Sequence, residues 1–187
     1  MKISFEVPEE YPWTIIACIA LCLECVLVSI VVVVPARKRY FYSDFMKANF
    51  AKEHEENFPG QKLSPLGFPD TGSGRYSDKL SYKDWVSFNN AQRAHLNIVE
   101  QIHILLVIFL VTGLILPRLA MYLAWLGVIG RAAYVIGYVV KGPNARLFGA
   151  FLNLIPNYFT TLFTAGVLIM AAVKHSGYFG VPVETIA

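Results

Sequence analysis

Arg93, Asn97 and Glu100 stand four and three positions apart in the run Phe88-Asn-Asn-Ala-Gln-Arg-Ala-His-Leu-Asn-Ile-Val-Glu100, so a helix of 3.6 residues per turn sets them on one face. His95 points roughly the other way. A second stripe, Arg131, Tyr134 and Tyr138, shares a face by the same arithmetic. Guanidinium groups clasp carboxylates through paired hydrogen bonds, a carboxylate holds an ammonium, and amides and phenols orient what lies between. Positive charge in excess, with one carboxylate and several amides and hydroxyls, suits a small ligand with two carboxylates and an amine. The structural alternative is a buried ion-pair network that only holds helices together.

Those stripes lie in a chain of 187 residues, 56% hydrophobic and only 16% charged, with a mean hydropathy of +0.50. That is too apolar for the surface a soluble domain of this size must expose. The apolar content divides into four spans of about 20 residues or more, which predicts an all-α integral membrane four-helix bundle forming a single domain over 1–187. Helices are expected at about 11–36, 87–116, 118–140 and 147–173, with a long polar loop over 37–86. The loop is rich in charges, Gly and Pro, as in Phe68-Pro-Asp-Thr-Gly-Ser-Gly, which favours turns over regular structure. Pro156 inside the fourth span suggests a kink.

Charge placement orients the bundle. Lys and Arg concentrate in the first and third connections, so those face the cytoplasm or its topological equivalent, and both termini face away. No Lys/Arg cluster exceeds the three residues Arg37, Lys38 and Arg39, which leaves nucleic acid no electrostatic footing as a partner. Cys18, Cys22 and Cys25 fall on one helical face, where packing against a neighbouring helix is favoured over a metal or redox cluster; no metal is expected. Glu24 sits near mid-span and must face protein, stay protonated or pair with a cation on another helix.

Arg37, Lys38 and Arg146 fall on the same membrane side as both polar stripes. Ionisable groups within membrane helices mark functional sites by default. Glutathione has the two carboxylates and the amine, and an arginine near its sulfur would favour thiolate; a shift from about 8.5 to about 6.5 makes the thiolate the major form at neutral pH. The remaining pocket would be apolar and open to lipid, so the second substrate should be a hydrophobic electrophile.

Arg93-Ala-His-Leu-Asn-Ile-Val-Glu100 and Gly130-Arg-Ala-Ala-Tyr-Val-Ile-Gly-Tyr138 resemble the two signature segments of the MAPEG superfamily, the membrane-associated proteins in eicosanoid and glutathione metabolism. Ala36-Arg-Lys-Arg-Tyr40 and Pro143-Asn-Ala-Arg146 followed by Gly149-Ala150 resemble its microsomal glutathione S-transferase type 3 branch. The resemblance implies a homotrimer of four-helix protomers with glutathione, the co-substrate, bound between protomers on the cytosolic side. Arg93, Asn97, Glu100, Arg131, Tyr134 and Tyr138 match positions lining the site from one protomer, and Arg37 and His95 match positions reaching in from the neighbour. Arg146 matches the thiolate-activating arginine by the type 3 pattern, whereas ungapped counting against leukotriene C4 synthase lands on Ala145. Gln101 stands where that synthase has a tyrosine.

The resulting expectation is a membrane glutathione transferase, with possible peroxidase activity toward lipid hydroperoxides, in the endoplasmic reticulum or alternatively a mitochondrial membrane. Two rivals remain: an accessory subunit of a larger membrane complex that keeps the fold, and a lipid carrier without chemistry.

Overall fold

The computed structural model describes residues 7–175. Four of its helices are long and apolar enough to cross a membrane: α1, Tyr11–Tyr40; α3, Tyr82–Ile115; α4, Pro117–Lys141; and α5, Pro143–Lys174. A shorter helix, α2, covers Ser43–Asn57 between the first two. No strand occurs among the described residues. The four long helices agree with the predicted spans, extended by a few residues on the aqueous side.

Local chemistry sets the ends. Ser81 caps α3, its Oγ accepting from the Asp84 amide at 3.2 Å and donating to Asp84 Oδ2 at 2.7 Å. Pro117 occupies the first turn of α4, where its missing N–H leaves no bond unmade. Gly142 ends that helix at φ 86, a conformation that costs a side chain dearly. At the opposite end of the bundle from the cap, Arg118 Nε donates to Glu10 at 2.5 Å, tying the start of α1 to the turn between α3 and α4.

Both helices that carry an internal proline accommodate it with a π-helical turn. Ser29–Val33 precedes Pro35 in α1, and Ile155–Phe159 contains Pro156 in α5. Proline cannot donate to the preceding turn, and a wider turn lets neighbouring amides find carbonyls; the Val34 amide reaches the Ser29 carbonyl five residues back, and after Pro156 the Thr160 amide returns to narrower spacing on Pro156 and Asn157. The disturbance expected at Pro156 is thus this turn.

α4 is the central helix, the most buried of the four spans, and α5 is the least buried. It packs on α5 at backbone distance, because a Cβ on Gly149 would land on the Tyr134 amide nitrogen and one on Gly130 would come within 2.9 Å of Leu152 Cβ. Ala17, Leu21, Leu105, Phe109 and Ala124 fill the core on the Glu10 side of the bundle. The outward faces stay apolar, with Leu23, Leu27 and Val31 on α1 and Phe151, Leu162 and Ile169 on α5 exposed, as lipid contact requires.

The 37–86 segment differs from the expected run of turns. α2 forms there although its sequence has no clear apolar stripe, because Phe50 stacks edge-on to Tyr76 at 4.7 Å and Phe41 to Phe88 at 4.8 Å. Met46, Phe50, Phe41, Tyr40 and Phe88 make one buried cluster that joins this cap to the membrane helices. Aromatic contacts between distant segments, invisible to local periodicity, supply the burial that stabilises α2.

Candidate functional site

Arg131 is the organising side chain. α4 presents it 1% exposed against α3, where Nη1 donates to Asn97 Oδ1 at 2.7 Å and Nη2 to Gln101 Oε1 at 2.6 Å. A guanidinium kept so far from water needs such acceptors. Among the described residues, however, its Nε has no hydrogen-bond partner, and neither does the buried Oε2 of Glu24 on α1. The two groups lie within electrostatic reach of one another without a hydrogen bond between them.

One and two turns along α4, Tyr134 and Tyr138 are also buried, their rings 5.6 Å apart. Arg146, at the start of α5, donates from Nη1 to the Tyr138 hydroxyl at 3.2 Å and lies 5.3 Å from the ring centroid. Tyr134 is within electrostatic reach of Arg146, Arg93 and Arg131. A polar cavity of about 170 Å³ opens here, lined by Asn97, Gln101, Tyr134, Asn153 and Asn157 among others. Arg93 and Glu100 share a face of α3 as their spacing requires and pair at 3.2 Å. Both are about half exposed, so this is an ion pair that a ligand can open cheaply.

Chemically, the arrangement sets cations beside a recess lined by amides and a phenol and bordered by lipid-facing helix. That is an environment that accepts a small anion and favours a thiolate over a thiol. A family model for the MAPEG family matches residues 14–166. The chain belongs to the MAPEG family. It is therefore an integral membrane protein, and the four long helices are its spans. No curated protein and no solved structure matched it.

Within this MAPEG bundle, the sequence-predicted residues separate into two groups. Asn97 and Tyr134 line the cavity, Arg131 is bonded to Asn97, and Arg146 is bonded to Tyr138 within electrostatic reach of Tyr134, while Arg93 and Glu100 pair at the half-exposed rim of α3. Arg37 and His95 do not join them within the protomer. Arg37 is 3% exposed beneath the cap; its Nη1 donates to the Leu66 and Gly67 carbonyls at 3.1 and 3.4 Å, and its Nη2 to the Asp70 carbonyl at 2.5 Å. Phe68 covers it at 4.1 Å. Within the protomer these carbonyls and the Phe68 ring account for the Arg37 guanidinium; the contact expected from the resemblance is one made to a neighbouring copy. His95 turns to α1 and places Nε2 3.8 Å from the sulfur of Cys25.

Sequence reasoning missed Asn153 and Asn157, and set Gln101 aside as a departure. The signal was available: two asparagines four residues apart in a charge-free run are expensive in a bilayer unless they face protein. It also missed Asp70. Its carboxylate gathers the amides of Gly72, Gly74 and Ser77 at 2.7, 3.1 and 2.7 Å, and the Ser77 hydroxyl at 3.1 Å. Burial alone would raise that carboxyl, but these donors hold it below the ordinary carboxylate value.

Proposed function

We propose that this protein is a membrane-bound glutathione transferase of the microsomal type 3 branch, which activates the glutathione thiolate against a hydrophobic electrophile or lipid hydroperoxide. The observation that carries the reading is a recess lined by Asn97, Gln101 and Tyr134, beside which Arg131 donates to Asn97 and Gln101 and Arg146 donates to the Tyr138 hydroxyl. In this reading Arg93 and Arg131 receive the carboxylates, Glu100 holds the ammonium once released from Arg93, and Arg146 stabilises the sulfur anion from the mouth of the recess. The half-exposed rim pair supports completion of the site by a neighbouring copy, as a homotrimer would supply.

For a conjugation, the thiolate sulfur bonds to the electrophilic carbon as the leaving group departs with the electron pair. For a hydroperoxide, the sulfur takes the distal oxygen as the O–O bond breaks and the alkoxide takes up a proton; a second glutathione then converts the sulfenic acid to disulfide and water. The endoplasmic reticulum is the membrane we assign. Purified protein in detergent, assayed with glutathione and a generic aryl halide, tests the reading; thiolate absorbance in the ultraviolet at neutral pH is expected. Glutathione that binds but stays fully protonated would move the protein to an accessory role in a larger complex.

A further inference from the structure

Asn153 and Asn157, one turn apart on α5, face the polar cavity, and a chain of hydrogen bonds fixes which way each amide points. Arg131 can only donate, so Gln101 must present Oε1 to it at 2.6 Å. The same oxygen accepts from Asn157 Nδ2 at 3.3 Å, which leaves Asn157 Oδ1 over. Asn153 gives its Nδ2 to the Gly149 carbonyl at 2.9 Å, which likewise leaves Oδ1. Both oxygens are buried and have no donor among the described residues, and Asn153 as a whole is 5% exposed. Buried acceptors are ordinarily met, so a partner that brings hydrogens is called for.

A second, apolar cleft adjoins this one. It measures about 440 Å³, is lined by Ile104, Leu105, Thr161 and Leu162, and shares Gln101, Asn157 and Tyr158 with the polar cavity. That volume falls within the range of about 300 to 1,000 Å³ typical of small-molecule sites. Leu162 and Tyr158 are largely exposed, so the cleft is open along the side of the bundle that meets lipid.

We propose that the joined clefts bind a lipid-soluble molecule carrying an O–H donor, a hydroxyl or hydroperoxyl group, which hydrogen-bonds to Oδ1 of Asn157 or Asn153 while its hydrocarbon chain lies along α3 and α5. An ether or halide of the same shape would set lone pairs against lone pairs. The inference rests on the glutathione reading only for naming this molecule the second substrate; the binding itself does not depend on it.

The test uses the full chain in lipid nanodiscs, with protein-free nanodiscs as the partition reference. Displacement of a fluorescent dodecanol is measured for 1-dodecanol, dodecyl hydroperoxide and dodecyl methyl ether. The two donors should bind about three- to tenfold more tightly than the ether, the worth of one hydrogen bond to a buried acceptor, and Asn157→Leu should narrow the gap. Consumption of the hydroperoxide, but not the alcohol, on adding glutathione would identify the hydroperoxide as the natural source of the donor. Equal affinity for alcohol and ether in the unmodified protein overturns the proposal, because water or a neighbouring chain would then meet the two oxygens. Glutathione binding measured by calorimetry in the same nanodiscs separates the two readings. Glutathione binding without O–H preference sinks this inference alone, whereas O–H preference without glutathione binding sinks the transferase reading.

Discussion

Arg131 and Arg37 are both almost fully buried, at 1% and 3% exposed, yet they are satisfied by different kinds of acceptor. Arg37 donates to three backbone carbonyls of the cap and lies between the rings of Phe68 and Phe88. Those oxygens belong to a folded loop that is itself held by Asp70, by Trp85 Nε1 donating to the Gly72 carbonyl at 2.9 Å, and by Asn89 donating to the same carbonyl at 3.0 Å. Nothing there can move singly. Arg131 instead makes its two short bonds to the side-chain oxygens of Asn97 and Gln101, with a longer one of 3.4 Å to the Asn97 carbonyl, and its Nε has no hydrogen-bond partner among the described residues. Side-chain acceptors can rotate to a ligand; carbonyls within a packed loop cannot. The contrast sets an arginine bonded to a packed loop beside one whose side-chain acceptors themselves line a cavity.

The strongest way to break this comparison is Arg37→Ala. Three carbonyls would lose their donor, at a cost of about 3 to 5 kcal/mol, read as a lower unfolding midpoint and new proteolytic cleavage within 58–81. Glutathione affinity should hold in whatever fraction stays folded; a selective loss of affinity with an intact cap would return Arg37 to the ligand site. Arg146→Ala should leave the unfolding midpoint nearly unchanged and cut turnover on the order of a hundredfold, about 2.7 kcal/mol in the barrier. Its signature is a raised pKa in the thiolate absorbance titration with a modest change in glutathione affinity. If the signal survives, the activating cation lies elsewhere, with Lys38 the first to change.

Glu100→Ala sharpens the distinction on the functional side. The Arg93–Glu100 pair is half exposed and contributes at most about 1 kcal/mol to stability, whereas loss of an ammonium contact should weaken glutathione by more than about tenfold. Calorimetry that finds unchanged affinity would favour the purely structural network. The smallest effect within the physiological range concerns Asp70. Its folded carboxyl is held low, so its contribution is fully present above the unfolded value of about 3.9 and is lost as pH falls through the folded value. The cap should resist proteolysis unchanged from pH 7 to 5 and open only in stronger acid; Asp70→Asn should remove that acid transition.

Much of the bundle is legible along the chain, because a bilayer imposes span length and penalises charge, and both act on contiguous residues. Helical arithmetic also placed Arg93 with Glu100 and Arg131 with the two tyrosines correctly, since those neighbours share one helix. It could not say that the rim pair would be exposed while Arg131 was buried, which depends on how α3, α4 and α5 meet. The residues 43–57 read as loop for the same reason: their helix is stabilised by Tyr76 and Phe88, tens of positions away.

By itself, then, the sequence determined the four spans, the two polar stripes and membership in a membrane family, each a consequence of periodicity or local motif. Only the tertiary structure decided which arginine would bond to the carbonyls of a packed loop and which to the side chains of a neighbouring helix. It also decided that Gln101 and Asn157 would join two cavities, leaving two amide oxygens without a donor among the described residues. Hydrogen-bond satisfaction is settled between elements distant in the chain, and a donor's partner cannot be read from the residues beside it.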